Sequence, residues 1–337
     1  MAQTTWPWPA GAASGIGSFP GTDIAEALRV VLGELPDVPH LPELPARGPG
    51  ADMVGRGAGF LVEMPVELYA GQWRVAARPG RDLRRTRDLL ERDLDELTEQ
   101  AGGYVGPLKV QAPGPWTLAA TVDLPLGGRL LRDHGAVHDL AGSLAEGLAA
   151  HVADVRARVP GASVLLQLDE PALPAVLAGH VPTESGLGVL RAVERGTAVG
   201  ALARVVAAAG VPAVVHCCAA DVPLDVIRAA GAVGVSLDLA LVTDLDPLGE
   251  AIDAGLGLLA GAAPTRPAEA GAAPSSAAVA DPVRTLWSRL GFSPARLPEQ
   301  VVVTPACGLA GVAEGYARAV LTACRDAGRR LRDEANA

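Results

Sequence analysis

Short apolar runs alternate with longer helical patterns from one end of this 337-residue chain to the other, and that alternation restricts the fold more than any other feature. Strand-like runs fall near 12–18, 59–64, 107–112, 163–168, 212–217, 233–238, 255–260 and 300–305. Helical patterns fall near 22–34, 81–101, 135–158, 186–209, 221–230, 244–254, 278–290 and 311–330. Strand-then-helix alternation makes neighbouring strands parallel, and about eight units at this length predict an α/β fold closed as a single (β/α)8 TIM barrel over 1–337. The second strand has two contenders, because Val38-Pro39-His40-Leu41 competes with 59–64 for that slot. Residues 262–280, rich in alanine, proline, glycine and serine, read as a long loop after the seventh strand, either a surface insertion or a lid.

Composition removes several classes of function. Net charge is −10, with no long basic run, which argues against a nucleic-acid partner. Lys109 is the only lysine. The opening Met1-Ala2-Gln3-Thr4-Thr5-Trp6-Pro7-Trp8-Pro9 has neither a basic region nor an apolar core, so no secretory signal is expected. The most apolar stretch, 198–215, is broken by Arg204, Gly210 and Pro212, so no membrane span is expected either. Four cysteines, two of them adjacent, make a poor disulfide framework and point to a reducing cytoplasm. The arginines between Arg74 and Arg87 are interspersed with Asp82 and read as a solvated, salt-bridged face.

Reactive side chains gather at the expected strand ends, the rim where such barrels do their chemistry. His216-Cys217-Cys218 closes the run 211–215, and in an extended strand His216 and Cys218 share a face. That is half of a zinc site. Cys307 follows Val301-Val302-Val303 in the same setting, and either Asp169 or Asp238 could complete a tetrahedral set. Each residue also has a plainer reading. Asp169 ahead of Pro171, or Ser18 ahead of Thr22, could cap a helix. Trp116 could stack on a flat ligand or belong to the core, and Cys324 on a late helix is expected to be structural.

Taken in order, Ile16-Gly17-Ser18-Phe19-Pro20, Asp169-Glu170-Pro171-Ala172-Leu173, His216-Cys217-Cys218 and Pro305-Ala306-Cys307-Gly308-Leu309 resemble strand-end motifs of the cobalamin-independent methionine synthase family. That family lies in the superfamily that also holds uroporphyrinogen decarboxylase. The resemblance covers essentially the whole chain and implies one catalytic barrel without the family's extra N-terminal barrel. It implies a methyltransferase in which Zn2+, held by His216, Cys218, Asp238 and Cys307, lowers the pKa of the homocysteine thiol from about 8.5 and activates it. It further implies that Gly17 and Ser18 hold the homocysteine carboxylate at the start of a helix and that Asp169 holds its ammonium.

Three departures stand out. Asp238 replaces the family's glutamate ligand. The stretch Ala260-Gly261-Ala262-Ala263-Pro264 lacks the histidine that would protonate a folate leaving group. Gly55 stands where a substrate-contacting glutamate is expected near Asp52-Met53-Val54. Methyltetrahydrofolate and a methylated corrinoid such as methylcobalamin therefore both remain as donors. The rivals are a zinc-free decarboxylase, which would want arginines near the first strand end, and a structural zinc module, which would want closely spaced ligand pairs.

Overall fold

The computed structural model describes residues 6–267 and 272–337. Met1–Thr5 of the opening segment, and 268–271 of the expected loop, lie outside the described residues. The first two strands, β1 (Val66–Tyr69) and β2 (Gln72–Val75), form a small antiparallel hairpin. The other six are β3 (Gly106–Pro113), β4 (Ala162–Asp169), β5 (Ala213–Cys217), β6 (Gly234–Asp238), β7 (Gly257–Ala263) and β8 (Val301–Pro305). They pair in sequence order as one parallel sheet, with helices in the connections, as the alternation predicts.

A regular eight-stranded barrel is not what forms. The slots between β8 and β3 are taken by two extended segments that touch their neighbours only through isolated bridges. The first runs beside β8, where Ser14 N donates to Val303 O and Val303 N to Ala12 O, both at 3.0 Å. The second runs beside β3, where Lys109 N donates to Pro39 O at 2.9 Å and Leu41 N to Lys109 O at 3.0 Å. Between them, Glu43 N donates to Gly17 O and Phe19 N to Glu43 O. Prolines 39 and 42 lack the N–H that a continuous ladder would need, which is why no regular strand spans 38–43. The slot thus goes to Val38–Leu41, and the expected strand at 59–64 is replaced by the helix Met53–Phe60 and the turn after it. That helix is capped by Asp52, whose Oδ1 accepts from Gly55 N at 2.8 Å.

Strand periodicity sorts side chains into two cores. Outward-facing Leu108, Val110, Leu166, Leu168, Val215 and Val235 join the main hydrophobic cluster under the helices. Inward-facing Leu165, Val214, Leu259 and Val302 form a second cluster with Trp8, Ala12 and Val38. This is an apolar floor at the strand beginnings, and Trp8 seals it. Its indole Nε1 donates to Glu299 O at 3.2 Å, and a Cβ on Gly257 would meet the ring at 2.4 Å. Above the floor the interior turns polar, with Lys109, Gln111, Gln167, Asp169, His216, Ser236 and Thr304 all buried.

Arg81–Ala101 and His134–Arg158 match their predicted bounds to within a residue, while Glu314–Ala335 starts three residues later and ends five later than 311–330. The largest departure among these is Arg195–Ala209, which begins nine residues later than predicted. Pro182, Gly186 and Gly188 build a turn in which Thr183 N donates to Gly188 O at 2.9 Å. Of the loop expected at 262–280, β7 holds residues to Ala263 and the next helix starts at Ser276. No helix among the described residues is long and apolar enough to cross a membrane.

One buried histidine gives the fold an acid-sensitive point. His151, on the helix His134–Arg158, packs its ring 4.7 Å from that of Phe60. Burial, with the Arg56 charge nearby, pulls its pKa from 6.5 to about 4. As pH falls the unfolded chain takes this proton first, so the stability is complete above pH 6.5 and is lost progressively toward pH 4. By pH 5 the loss is on the order of 2 kcal/mol. Urea unfolding at pH 7 and pH 5 is expected to show this slope in the parent and a flatter one in His151→Gln; equal slopes would remove His151 as the cause.

Candidate metal centre

Three side chains predicted from sequence converge at the C-terminal rim. The Sγ atoms of Cys218 and Cys307 lie 3.3 Å apart, and one donor atom from each of His216, Cys218 and Cys307 falls within 4.8 Å of the others. The backbone dictates this meeting. His216 sits on β5 with its side chain inward, Cys218 follows that strand by one residue, and Cys307 lies two residues past β8. The sheet curvature brings these rims together.

The histidine is oriented for ligation. Its Nδ1 lies 3.0 Å from Ser236 Oγ on β6, directly across the register from it. Its Nε2 is buried without a hydrogen-bond partner among the described residues. A buried ring nitrogen is costly to leave unpaired, so a ligand on Nε2 satisfies it. Contact with Cys218 and then His216 holds the Cys307 thiol well below the usual range, while the same contact pushes Cys218 up. Two soft donors, one of which gives up its proton readily, beside an unpaired imidazole nitrogen fit a zinc-type cation. Ser236→Ala removes the partner that fixes the ring, and is expected to weaken metal affinity roughly 10–100-fold. Competition with a chromogenic chelator measures this, and an unchanged affinity would show that the ring needs no such support.

The remaining expected residues are placed unequally. Asp238, the carboxylate that the resemblance supplies as a ligand, is not among the clustered donors. Its Oδ1 accepts from Ala240 N at 2.9 Å and caps the short 3-10 helix Leu239–Leu241, in the wall of an adjoining groove of about 790 Å3. Trp116 is 1% exposed and its Nε1 donates to Ala198 O at 3.1 Å, so it belongs to the outer core and does not stack at the rim. Asp169 is no helix cap; it faces inward beside His216 in the register, and its Oδ1 accepts from Gln167 Nε2 at 2.7 Å. Burial raises its pKa to about 7. Ser18 is also free of capping duty, because Asp23 caps the helix Ile24–Glu34. With that helix starting at Ile24, Gly17 and Ser18 are not at its N-terminus. Even so, no backbone carbonyl among the described residues accepts from the N–H of either. Ser18 rests against Gly308, where a Cβ would approach its Oγ to 1.9 Å, so it borders Cys307 directly.

Sequence reasoning missed two carboxylates. Glu43, 4% exposed, closes the second extended segment opposite Ser18, and among the described residues its Oε1 makes no hydrogen bond but lies 3.4 Å from Arg56 Nε. Glu170, fully buried, accepts from Trp116 N at 2.9 Å and from Thr117 N and Oγ1 at 2.7 and 2.8 Å, tying the loop after β3 to the end of β4. Burial nevertheless pushes its pKa up to about 7. The signal for Glu170 was present in the Asp169-Glu170-Pro171 run. Glu43 follows an apolar segment that its prolines disguised.

A curled parallel sheet carrying thiols and an imidazole at the C-terminal rim defines an α/β enzyme of TIM-barrel type with a candidate metal site. The family described as cobalamin-independent synthase, catalytic domain, matches residues 117–330. The chain belongs to that family, which supports a methyltransferase activity. Among solved structures, a B12-independent methionine synthase from Shewanella sp. W3-18-1 in complex with selenomethionine is similar at 15% identity. It covers 96% of this chain and 98% of that one, with a TM-score of 0.62. A methyltransferase from Methanosarcina mazei is similar at 14% identity, covering 100% and 96%, with a TM-score of 0.57. At these identities the likeness establishes the fold. No curated protein matches the sequence.

Proposed function

We propose that this chain, as one catalytic unit over 1–337, is a zinc-dependent S-methyltransferase that moves a methyl group onto the thiol of homocysteine to give methionine. What carries the reading is the buried, unpartnered Nε2 of His216 facing two thiols 3.3 Å apart. Zinc held by His216, Cys218 and Cys307 would supply the Lewis acidity that makes an incoming thiol nucleophilic at neutral pH. Three ligands from two strand ends, with Asp238 held by Ala240 N, would leave a fourth position open to such a thiol.

The amino-acid end of the substrate has its own partners. The free N–H groups of Gly17 and Ser18, with the Ser18 hydroxyl, suit a carboxylate. Asp169 and Glu43 suit an ammonium, and that cation would favour the ionised form of Asp169 against the effect of burial. Fixing both ends aims the sulfur at the methyl donor. The four free cysteines fit a reducing cytoplasm, where the rim thiols stay available.

The donor is either methyltetrahydrofolate or a methylated corrinoid. No histidine lies on β7 or in the residues after it to Pro264, so a folate leaving group would need another acid. Purified, zinc-containing protein is expected to form methionine from homocysteine with one of the two donors offered side by side. Turnover with neither would sink the proposal.

A further inference from the structure

The only lysine of the chain stands inside the curled sheet, fully buried, in register with Leu165 of the apolar floor. Lys109 Nζ donates to Ile16 O at 2.8 Å and to Gln111 Oε1 at 3.3 Å. Gln167 Nε2 donates to the same Ile16 carbonyl at 2.8 Å and to Asp169 Oδ1 at 2.7 Å. Gln111 Nε2 donates to Leu41 O at 2.7 Å. These bonds reach the two irregular segments that replace regular strands, the one leading into Gly17-Ser18 and the one leading into Glu43. Backbone pairing alone holds those segments only at isolated bridges. Their placement therefore depends on donors from the interior of β3 and β4.

Charge points the same way. Burial pulls Lys109 down to about 8, while Asp169 and Glu43 act on it in the opposite direction. The two carboxylates repel one another, and the Lys109 ammonium offsets both, with the Arg56 guanidinium 3.4 Å from Glu43 as a second cation.

We propose that Lys109 is a positioning residue for the amino-acid end of the ligand: through Ile16 O it fixes the Gly17-Ser18 backbone, and by its charge it sustains the Asp169–Glu43 pair. The inference rests on the α-amino-acid thiol assigned above. It predicts that Lys109 governs recognition of the amine and carboxylate and leaves the metal centre alone, because His216, Cys218 and Cys307 are held by β5, β6 and the loop after β8.

The test uses zinc-loaded full-length parent, Lys109→Met and Lys109→Arg, each titrated calorimetrically with L-methionine and with 2-mercaptoethanol, a thiol lacking the amino-acid end. Lys109→Met is expected to keep its zinc and its affinity for 2-mercaptoethanol while methionine binding weakens at least tenfold. Lys109→Arg, which keeps a cationic donor, is expected to recover much of that loss. Unchanged methionine affinity in Lys109→Met overturns the proposal, as does parallel loss of zinc and both ligands. Failure of both variants to melt cooperatively would make the residue merely structural and also overturn it. A parent that holds zinc and binds 2-mercaptoethanol but not methionine would instead remove the amino-acid substrate itself, and this role with it.

Discussion

Cys307→Ser is expected to abolish stoichiometric zinc binding while leaving the fold intact. Contact with Cys218 and then His216 holds the Cys307 thiol below its usual range, so it gives up its proton readily to a cation. A serine hydroxyl stays protonated at neutral pH and is a poor soft-metal donor. The loss should exceed the roughly 10–100-fold that follows removal of an outer partner of a ligating histidine. Position 307 lies in a loop beyond β8 and is only half-buried, so far-ultraviolet circular dichroism and Tm of the metal-free protein should match the parent. Plasma-emission analysis of Cys307→Ser, Cys218→Ser and Asp238→Asn beside the parent separates the donors. The two serine variants should be empty and Asp238→Asn loaded. Equal zinc in all four would end the case for this centre.

Asp93→Asn should be the most damaging substitution away from the rim. Asp93 is fully buried and accepts from Arg47 at 2.7 and 2.8 Å and from Arg56 at 2.6 Å. Arg56 is itself 1% exposed and reaches Glu43 at 3.4 Å. Neutralising the aspartate leaves two guanidinium groups facing an amide in the interior. Removing one partner from a buried pair costs roughly 3–5 kcal/mol. That corresponds to a Tm lower by roughly 4–7 °C. A scanning-calorimetry shift below about 2 °C would show that water already screens the network. Because Arg56 backs Glu43, methionine affinity should fall in the surviving folded fraction as well.

Legibility in the sequence divided along physical lines. The six regular strands of the sheet were readable because each is built on a short, mostly apolar run, as in Ala213–Cys217 and Val301–Pro305. Local periodicity determines such elements. The two segments filling the gap were readable in position, at 12–18 and as the contender 38–41, but not in form, since Pro39 and Pro42 break the ladder of one and the other is pinned by side chains from elsewhere in the chain. The three-donor cluster was legible because strand ends converge whatever the helices do. Asp238 misled because proximity along the sequence fixes a strand end but not a rotamer, and the nearby Ala240 N–H captured the carboxylate. Trp116 misled for a related reason: its helix presents it to Ala198 on the outside of the sheet. Glu43 and Lys109 matter through partners far away in the chain, which no local pattern encodes.

Trp8 and the aliphatic side chains around it stopper one end of the interior. Everything the enzyme handles must therefore pass through the opposite opening, like cargo in a cul-de-sac. On the proposed reading, thiol and methyl donor would share that single mouth, and whichever sits deeper would have to arrive first and leave last.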